Sequence, residues 1–547
     1  MSNTNNPIAK AGAEASVSSS SVKKSYLFYL MLLAAILFFF KLGSFSLYDA
    51  AETTYGEFVK NMLRYGDYLT LRFNGAIIFD KPPLYYWSVA LLSRSIGFNE
   101  WAMRLPAAAC GLTTVAVTYL FGRKLFSSER AGFFAGLVTM TAFQFMVLSR
   151  IAELDVVLTF FVTLALYCFY AGYSSHKKWW FTLSYFPMAL AFLIKGALGI
   201  ALPAGTIFLF LLMKKELAKV KELKLPAGLL IFALIGLPWY AIELFRHGKP
   251  FLDFTVGFLF LSRFQGVVAG HTGPWYYYFL AIILGFAPWS PFLPYAFWRT
   301  ARNWRSDSSL LCLSLIVPTF IVFSAATTKL PTYILPLYPF LGLMVGKLFD
   351  DSLKEAESMK IGMIVSYLLL FVVVLMLIAG FVMAGNINYP EQYKSFLPLL
   401  YLLTAVLTGT SFLAVVIYFA GKKRLSVYVL AAMVFAIMFI LTLMVLPRVE
   451  EFKGAKPLGK EIDRNFQPGQ KIAAFGTGNR PGIVFYSPRT VAFLNNKTEV
   501  WEFINGRQGY LFLSMAEYEK IRFNLPEYVK ILGIKGDLLV LQCQNQN

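Results

Sequence analysis

The chain has 547 residues, of which 57% are hydrophobic and 15% charged, with a mean hydropathy of +0.59. A soluble domain carries about 25% charged residues, so an ordinary soluble enzyme is excluded and an all-α polytopic membrane protein is expected; a lipid-facing β-barrel would show short alternating segments instead. The net charge of +20 does not indicate nucleic acid, because no soluble basic domain carries it; Lys and Arg in loops that set topology and face anionic headgroups account for it.

Residues 1–24 are rich in Ser, Asn and Ala and are expected to form a disordered cytoplasmic tail. Lys23 and Lys24 then precede an apolar run with no small-residue cleavage site, which reads as an uncleaved anchor. Apolar runs predict about thirteen spans, at 25–42, 102–122, 131–148, 156–172, 178–195, 197–213, 226–246, 275–297, 309–326, 332–349, 361–384, 396–420 and 425–446. Under this count the Lys/Arg-rich loops fall on one side, which is therefore cytoplasmic. Residues 83–97 are apolar but short and are interrupted by Ser93 and Arg94. Counting them as a span would invert every later loop, so they read as an amphipathic helix in the outer interface. The membrane region is then 25–446, with a first outer loop at 43–101 that carries interfacial helices.

Composition changes after Pro447. Residues 447–547 predict a small α/β domain outside the membrane, with strands at 471–475, 490–494, 510–513, 529–532 and 538–541 and helices at 481–486 and 515–523. The Gly476-Thr477-Gly478 turn lacks the third glycine of a dinucleotide fingerprint, so an ordinary tight turn is preferred to a nucleotide site.

Charged motifs recur at the outer edges of the apolar runs. Asp49 and Glu52 are spaced to share a helical face with the apolar Tyr55, Phe58 and Met62 behind them. They are either solvated acids at a helix N-terminus or a carboxylate that activates a hydroxyl. Asp155 opens an apolar run, as a helix N-cap or as a second carboxylate facing the first. Lys81, stiffened by Pro82 and Pro83, suits a phosphate at headgroup depth, or else snorkels. Lys195 and Lys329 stand opposite the topology-setting lysines and imply an anionic lipid, with Arg104 and Arg263 as further candidates. A metal role would require Asp80 and His271, far apart in sequence; an interfacial histidine is preferred. The four Cys and three His show neither a disulfide framework nor zinc spacing.

In this order the motifs resemble the GT-C superfamily of lipid-dependent glycosyltransferases, in particular the bacterial lipid A aminoarabinose transferases and the bacterial relatives of protein O-mannosyltransferases. The resemblance rests on Glu52-Thr53-Thr54-Tyr55-Gly56-Glu57, Asp80-Lys81-Pro82 with Tyr86-Trp87, Leu154-Asp155 and Lys195-Gly196. It continues with His271 before Trp275-Tyr276-Tyr277 and with Lys329-Leu330-Pro331-Thr332-Tyr333. The first-loop motif departs from the family: Ala51 stands where an Asp is usual and Thr54 where an Arg is usual, so Asp49 or Glu52 must supply the carboxylate. Asp80 also replaces a Glu found in the aminoarabinose enzymes.

The resemblance implies a GT-C fold in a bacterial inner membrane, with the active site and C-terminal domain facing the periplasm. It implies transfer of a sugar from a polyprenyl phosphate to lipid A or a related glycolipid, with a protein acceptor as the alternative. No nucleotide sugar or resident cofactor is implied, and a divalent metal is left open. Asp49, Glu52 and Asp155 would be catalytic; Lys81, Lys195, Lys329, Tyr55, Tyr86, Arg104, Arg263 and Tyr333 would hold the donor's phosphate or sugar. Acidic and amine side chains far apart in sequence are thus expected to meet in one pocket. A lipid flippase is the competing reading from another class. Such transporters often show internal repeats and midplane polar residues, neither of which is seen here.

Overall fold

The computed structural model describes residues 25–255, 272–355, 357–385 and 394–543. The chain divides into two compact units. Of the described residues, those within 25–40, 107–150 and 154–438 form the first, and those within 41–106, 151–153 and 439–543 form the second.

The first unit is helical. Among the described residues seven helices are long and apolar enough to cross a bilayer, or up to nine if each of two bent pairs is one span. This makes a multi-pass membrane protein and leaves the expected count of about thirteen unreached. The differences have local causes. The expected span at 131–148 breaks at Ala142, which is extended, and the Phe143 N–H donates to the Ala287 carbonyl at 3.0 Å. The expected span at 226–246 bends by 46° between Ile235 and Leu237, where Gly236 is followed by Pro238. The expected span at 275–297 turns by 118° before Ser290; Pro288 and Pro291 supply no N–H to continue a helical ladder there. Ser25–Phe39 and Leu198–Met213 are shorter apolar helices.

Close helix packing in this unit uses small residues, as is common in lipid. Gly342 and Gly346 lie four apart on Tyr338–Lys354 and face Glu129–Thr141. A Cβ at Gly346 would meet the Ala135 backbone, so any larger residue would push the two helices apart.

The second unit joins the first loop to the C-terminal region. Helix Ala51–Tyr65 is followed by a hairpin of β1 (Arg72–Phe73) and β2 (Ala76–Ile77), then by helix Leu84–Ile96. The C-terminal sheet contains β3 (Lys471–Phe475), β4 (Val491–Phe493), β5 (Gly509–Ser514), β6 (Val529–Lys535) and β7 (Leu538–Cys543). Its order is β4-β3-β5-β7-β6, with β4, β3 and β5 parallel and β7 antiparallel to both of its neighbours.

The two-residue side-chain period divides the apolar residues between the faces. Ile472, Tyr510, Phe512 and Val540 pack with Leu458, Ile462 and Ile483 on one side. Ala473, Leu511, Leu513 and Leu539 pack with Val500, Phe503 and Ile521 on the other. The strands and the two helices expected here are present; helix Ala455–Asn465 and helix Lys497–Asn505, the latter capped by Asn496, are additional.

Hydrogen bonds stitch the loop to the sheet. Asn74, at the hairpin tip, pairs with the Val491 backbone through two bonds of 2.8 Å. Lys60 donates to the carbonyls of Phe485 and Ser487 at 2.7 Å each, at the C-terminal end of helix Pro481–Tyr486. At the start of that helix the Gly482 N–H donates to Asp49 at 2.7 Å. Arg480 clasps Asp537 through both carboxylate oxygens.

The hydrogen bonds from Arg480 hold the Asp537 carboxyl below the usual carboxylate range. A depressed folded-state value means that this contribution is present above the unfolded value, about 3.9, and is lost as pH falls through the folded value. Acidification below about pH 4 should therefore loosen the clasp. Asp537→Asn should flatten the acid limb of thermal stability measured on purified protein, and an unchanged limb would remove the clasp as its cause.

Candidate active site

In the first unit three chain segments present charge. Asp155 lies in the first turn of helix Leu154–Ser175 and is 2% exposed. Lys195 ends helix Trp179–Lys195, where Gly196 takes a positive φ and turns the chain. Lys195 Nζ lies 2.5 Å from Asp155 Oδ1. Each charge sits at the helix end whose dipole favours it, acid at the N-terminus and base at the C-terminus. Lys195 Nζ also lies 4.8 Å from the centroid of the Tyr333 ring, within cation–π range.

Lys329 is buried, and its ammonium donates to the Ala326 carbonyl at 2.5 Å, just beyond helix Asp307–Ala325. The strand-like segment around it is held by a Thr272–Thr328 bridge. Gly273 permits the approach: a Cβ there would lie 2.7 Å from the Tyr277 ring and 3.2 Å from Lys329 Cδ. Asp155, Lys195 and Tyr333 are thus assembled by direct contact, with Lys329 four residues before Tyr333 in the same segment. Tyr278, fully buried and with its ring centroid 6.3 Å from that of Phe323, lines the same region. Sequence reading passed over it because one more aromatic in the run Tyr276-Tyr277-Tyr278-Phe279 looks like core.

In the second unit Glu52 is 1% exposed and fully engaged. It accepts from Arg104 Nε at 2.9 Å and Nη2 at 2.8 Å, from the Tyr48 N–H at 2.8 Å and from the Ala152 N–H at 2.6 Å. Arg104 donates further to the carbonyls of Leu42, Phe45 and Ser46 at 2.9, 3.1 and 3.1 Å. A guanidinium has five N–H donors, so none remains for a ligand. The expected phosphate-binding role of Arg104 gives way to a structural one.

Asp49 is exposed and borders a cavity of about 390 Å³ with Lys453, Arg480 and Asp537. Lys81 bonds both oxygens of Asp80, at 2.9 and 2.8 Å, and lies 5.4 Å from the centroid of the Tyr55 ring. Tyr55 packs against Tyr85 and Tyr86. The Tyr86 hydroxyl is buried without a hydrogen-bond partner among the described residues. Burial, then the Asp80 carboxylate, raises its pKa and keeps the phenol protonated. Among the described residues no group of three or more His, Cys, Asp or Glu could hold a metal. Arg263 and His271 lie outside the described residues.

Comparison with known proteins gives this geometry a context. Residues 80–240 match the family model for dolichyl-phosphate-mannose-protein mannosyltransferases. A protein of Aquifex aeolicus without an assigned function is 30% identical over 462 residues, covering 83% of this chain and 85% of that one. An undecaprenyl phosphate-alpha-4-amino-4-deoxy-L-arabinose arabinosyl transferase of Pseudomonas fluorescens is 29% identical, over 59% of each chain. One of Proteus mirabilis is 28% identical over 67% of each. The match therefore spans about three fifths of the Pseudomonas enzyme's length. The crystal structure of ArnT from Cupriavidus metallidurans bound to undecaprenyl phosphate superposes with a TM-score of 0.80 at 20% identity, covering 96% of this chain and 99% of that one. The two share a fold.

Removing one partner of a buried ion pair leaves an uncompensated charge. Lys195→Met should therefore destabilise the protein by about 3–5 kcal/mol. Adding Asp155→Asn should recover most of that loss without restoring function. Thermal unfolding of the two variants checks this, and equal stabilities would dissolve the coupling.

Proposed function

We propose that this chain, a member of the GT-C superfamily of membrane glycosyltransferases, moves a sugar from a polyprenyl-phosphate donor to lipid A or a related envelope glycolipid. The observation that carries this reading is the buried Asp155–Lys195 pair with the Tyr333 ring against its ammonium. The named transferase relatives and the undecaprenyl phosphate bound to ArnT of Cupriavidus metallidurans support the donor class.

The reaction in this reading is a displacement at the anomeric carbon. The acceptor oxygen attacks, the bond to the phosphate oxygen breaks, and polyprenyl phosphate leaves with the electron pair. Negative charge grows on that phosphate, and fixed cations stabilise it most where water is excluded. Lys195 and Lys329 take this role, with Lys81 as a further candidate. Asp155 orients Lys195 and stands as the buried carboxylate nearest the chemistry. Glu52, held by Arg104, is structural, so Asp49 is the first-loop carboxylate to test as acceptor base. Tyr55 and Tyr86 are buried against one another, and the Tyr86 hydroxyl, without a partner among the described residues, is the group of the two left to meet a sugar.

The site faces the periplasm of a bacterial inner membrane in this reading, because the Lys/Arg-rich loops mark the opposite side as cytoplasmic. No resident cofactor enters the reaction. A metal at Asp80 would compete with Lys81, which holds both of its oxygens.

Asp155→Asn should abolish transfer from undecaprenyl-phosphate sugar to lipid A and, by leaving Lys195 unpaired, lower thermal stability as Lys195→Met does; the doubly substituted protein, close to wild type in stability, should be equally inactive, which separates the role in transfer from the role in folding. Lys329→Ala should lower the rate about 10²–10³-fold. Wild-type turnover in either variant would reject the assigned role. Mass spectrometry of envelope lipids and glycans from a deletion strain identifies the product, and loss of a protein-linked glycan with lipid A unchanged would favour a protein acceptor.

A further inference from the structure

A second charged site lies in the first unit, at the far end of the helix that carries Lys329's carbonyl partner. Helix Asp307–Ala325 has 19 residues, so its ends are about 28 Å apart, close to the hydrocarbon thickness of a bilayer. Ala326, beyond one end, accepts from Lys329. Ser306, which caps the other end, lines a cavity of about 570 Å³. The cavity is therefore at the membrane face opposite Lys329.

Arg299, Arg302, Arg305 and Lys347 line this cavity, with Asp351 as its one lining acid. Asp351 is engaged by Lys347 at 2.6 Å and by Arg299 at 3.4 Å. Arg302 and Arg305 make no ion pair among the described residues. Their guanidinium groups lie instead over the rings of Trp298 and Trp304, each at 5.4 Å from the centroid. Two fork-shaped cations are thus held on aromatic faces with their donors uncommitted to an acid, an arrangement suited to phosphate oxygens.

A second cavity, of about 610 Å³, adjoins the first and shares Arg299, Arg302 and Asn303 with it. Its other lining includes Tyr295, Trp298, Ile361, Gly362 and Val365. Gly362 lets the Tyr295 ring lie against helix Lys360–Gly385, since a Cβ there would collide with that ring. From this point an exposed apolar strip, Ile361, Val365, Leu368 and Val372, continues along the helix into the span. A basic head pocket therefore opens onto an apolar track directed toward the bilayer interior. Tryptophans sit at the junction, the position they favour at headgroup depth.

We infer that Arg302 and Arg305 bind the phosphodiester headgroup of an anionic phospholipid in the leaflet opposite the Asp155–Lys195 pair, with an acyl chain along Ile361 and Val365. Basic pockets between membrane helices hold such headgroups by this chemistry. The apolar track decides for a lipid over a soluble phosphate, which would have no use for it. This inference is independent of the reaction proposed above.

The test is native mass spectrometry of the full-length protein with phosphatidylglycerol and, separately, phosphatidylethanolamine. Wild type should retain the anionic lipid preferentially. Arg302→Ala with Arg305→Ala should weaken that retention about 30-fold, from about fivefold per arginine near a charged surface. Lys177→Ala with Lys178→Ala removes the same charge from another exposed loop and should leave retention unchanged. An arginine variant that keeps the lipid, or a lysine variant that loses as much, would overturn the site. Excess inorganic phosphate should not displace the lipid; displacement would mean a phosphate site in place of a lipid site.

Discussion

Moving a carboxylate and an ammonium out of water costs several kcal/mol for each ion. Asp155 and Lys195 are both nearly buried, so their contact has to offset that cost in full. Three features contribute: direct contact at 2.5 Å, helix ends of matching polarity, and the Tyr333 ring beside the ammonium. The pair fixes the relative position of two helices and of the segment Pro331–Leu337. Lys329 obeys the same constraint with a different partner, a carbonyl beyond a helix end. A carbonyl compensates an ammonium less completely than a carboxylate does, which leaves Lys329 able to take a stronger anionic partner.

The same constraint has another outcome in the second unit. Glu52 and Arg104 are as buried as Asp155, but every guanidinium donor meets an oxygen of the protein. Saturation turns a charged pair into a structural bolt, here closing the chain around Leu42–Ser46. Arg302 and Arg305 mark the opposite extreme, exposed cations seated on indole rings. Whether a charged residue near a membrane builds or binds thus depends on how many of its hydrogen-bonding positions the protein itself fills.

Local pattern made much of this molecule legible. Unbroken apolar runs announced the membrane helices, and short apolar runs announced β3, β5 and β7 to within two residues at each end. Helix Leu84–Ile96 was readable because Ser93 and Arg94 spoil a span. The span count was not: Ala142 breaks a run that is apolar throughout, and its cause is a carbonyl at Ala287, remote in sequence. Helices Ala455–Asn465 and Lys497–Asn505 also escaped, each too short for its apolar residues to stand out as a helical period.

For the site, the sequence by itself determined which side chains were out of place, because a charge beside an apolar run is costly whatever the fold around it. That was enough to single out Asp155, Lys195 and Lys329. Tertiary structure alone decided the partners: Glu52 with Arg104, Asp155 with Lys195, Asp49 with the Gly482 amide. Ion pairs and hydrogen bonds act over a few ångströms in space, and spacing along the chain does not encode which remote segments come that close.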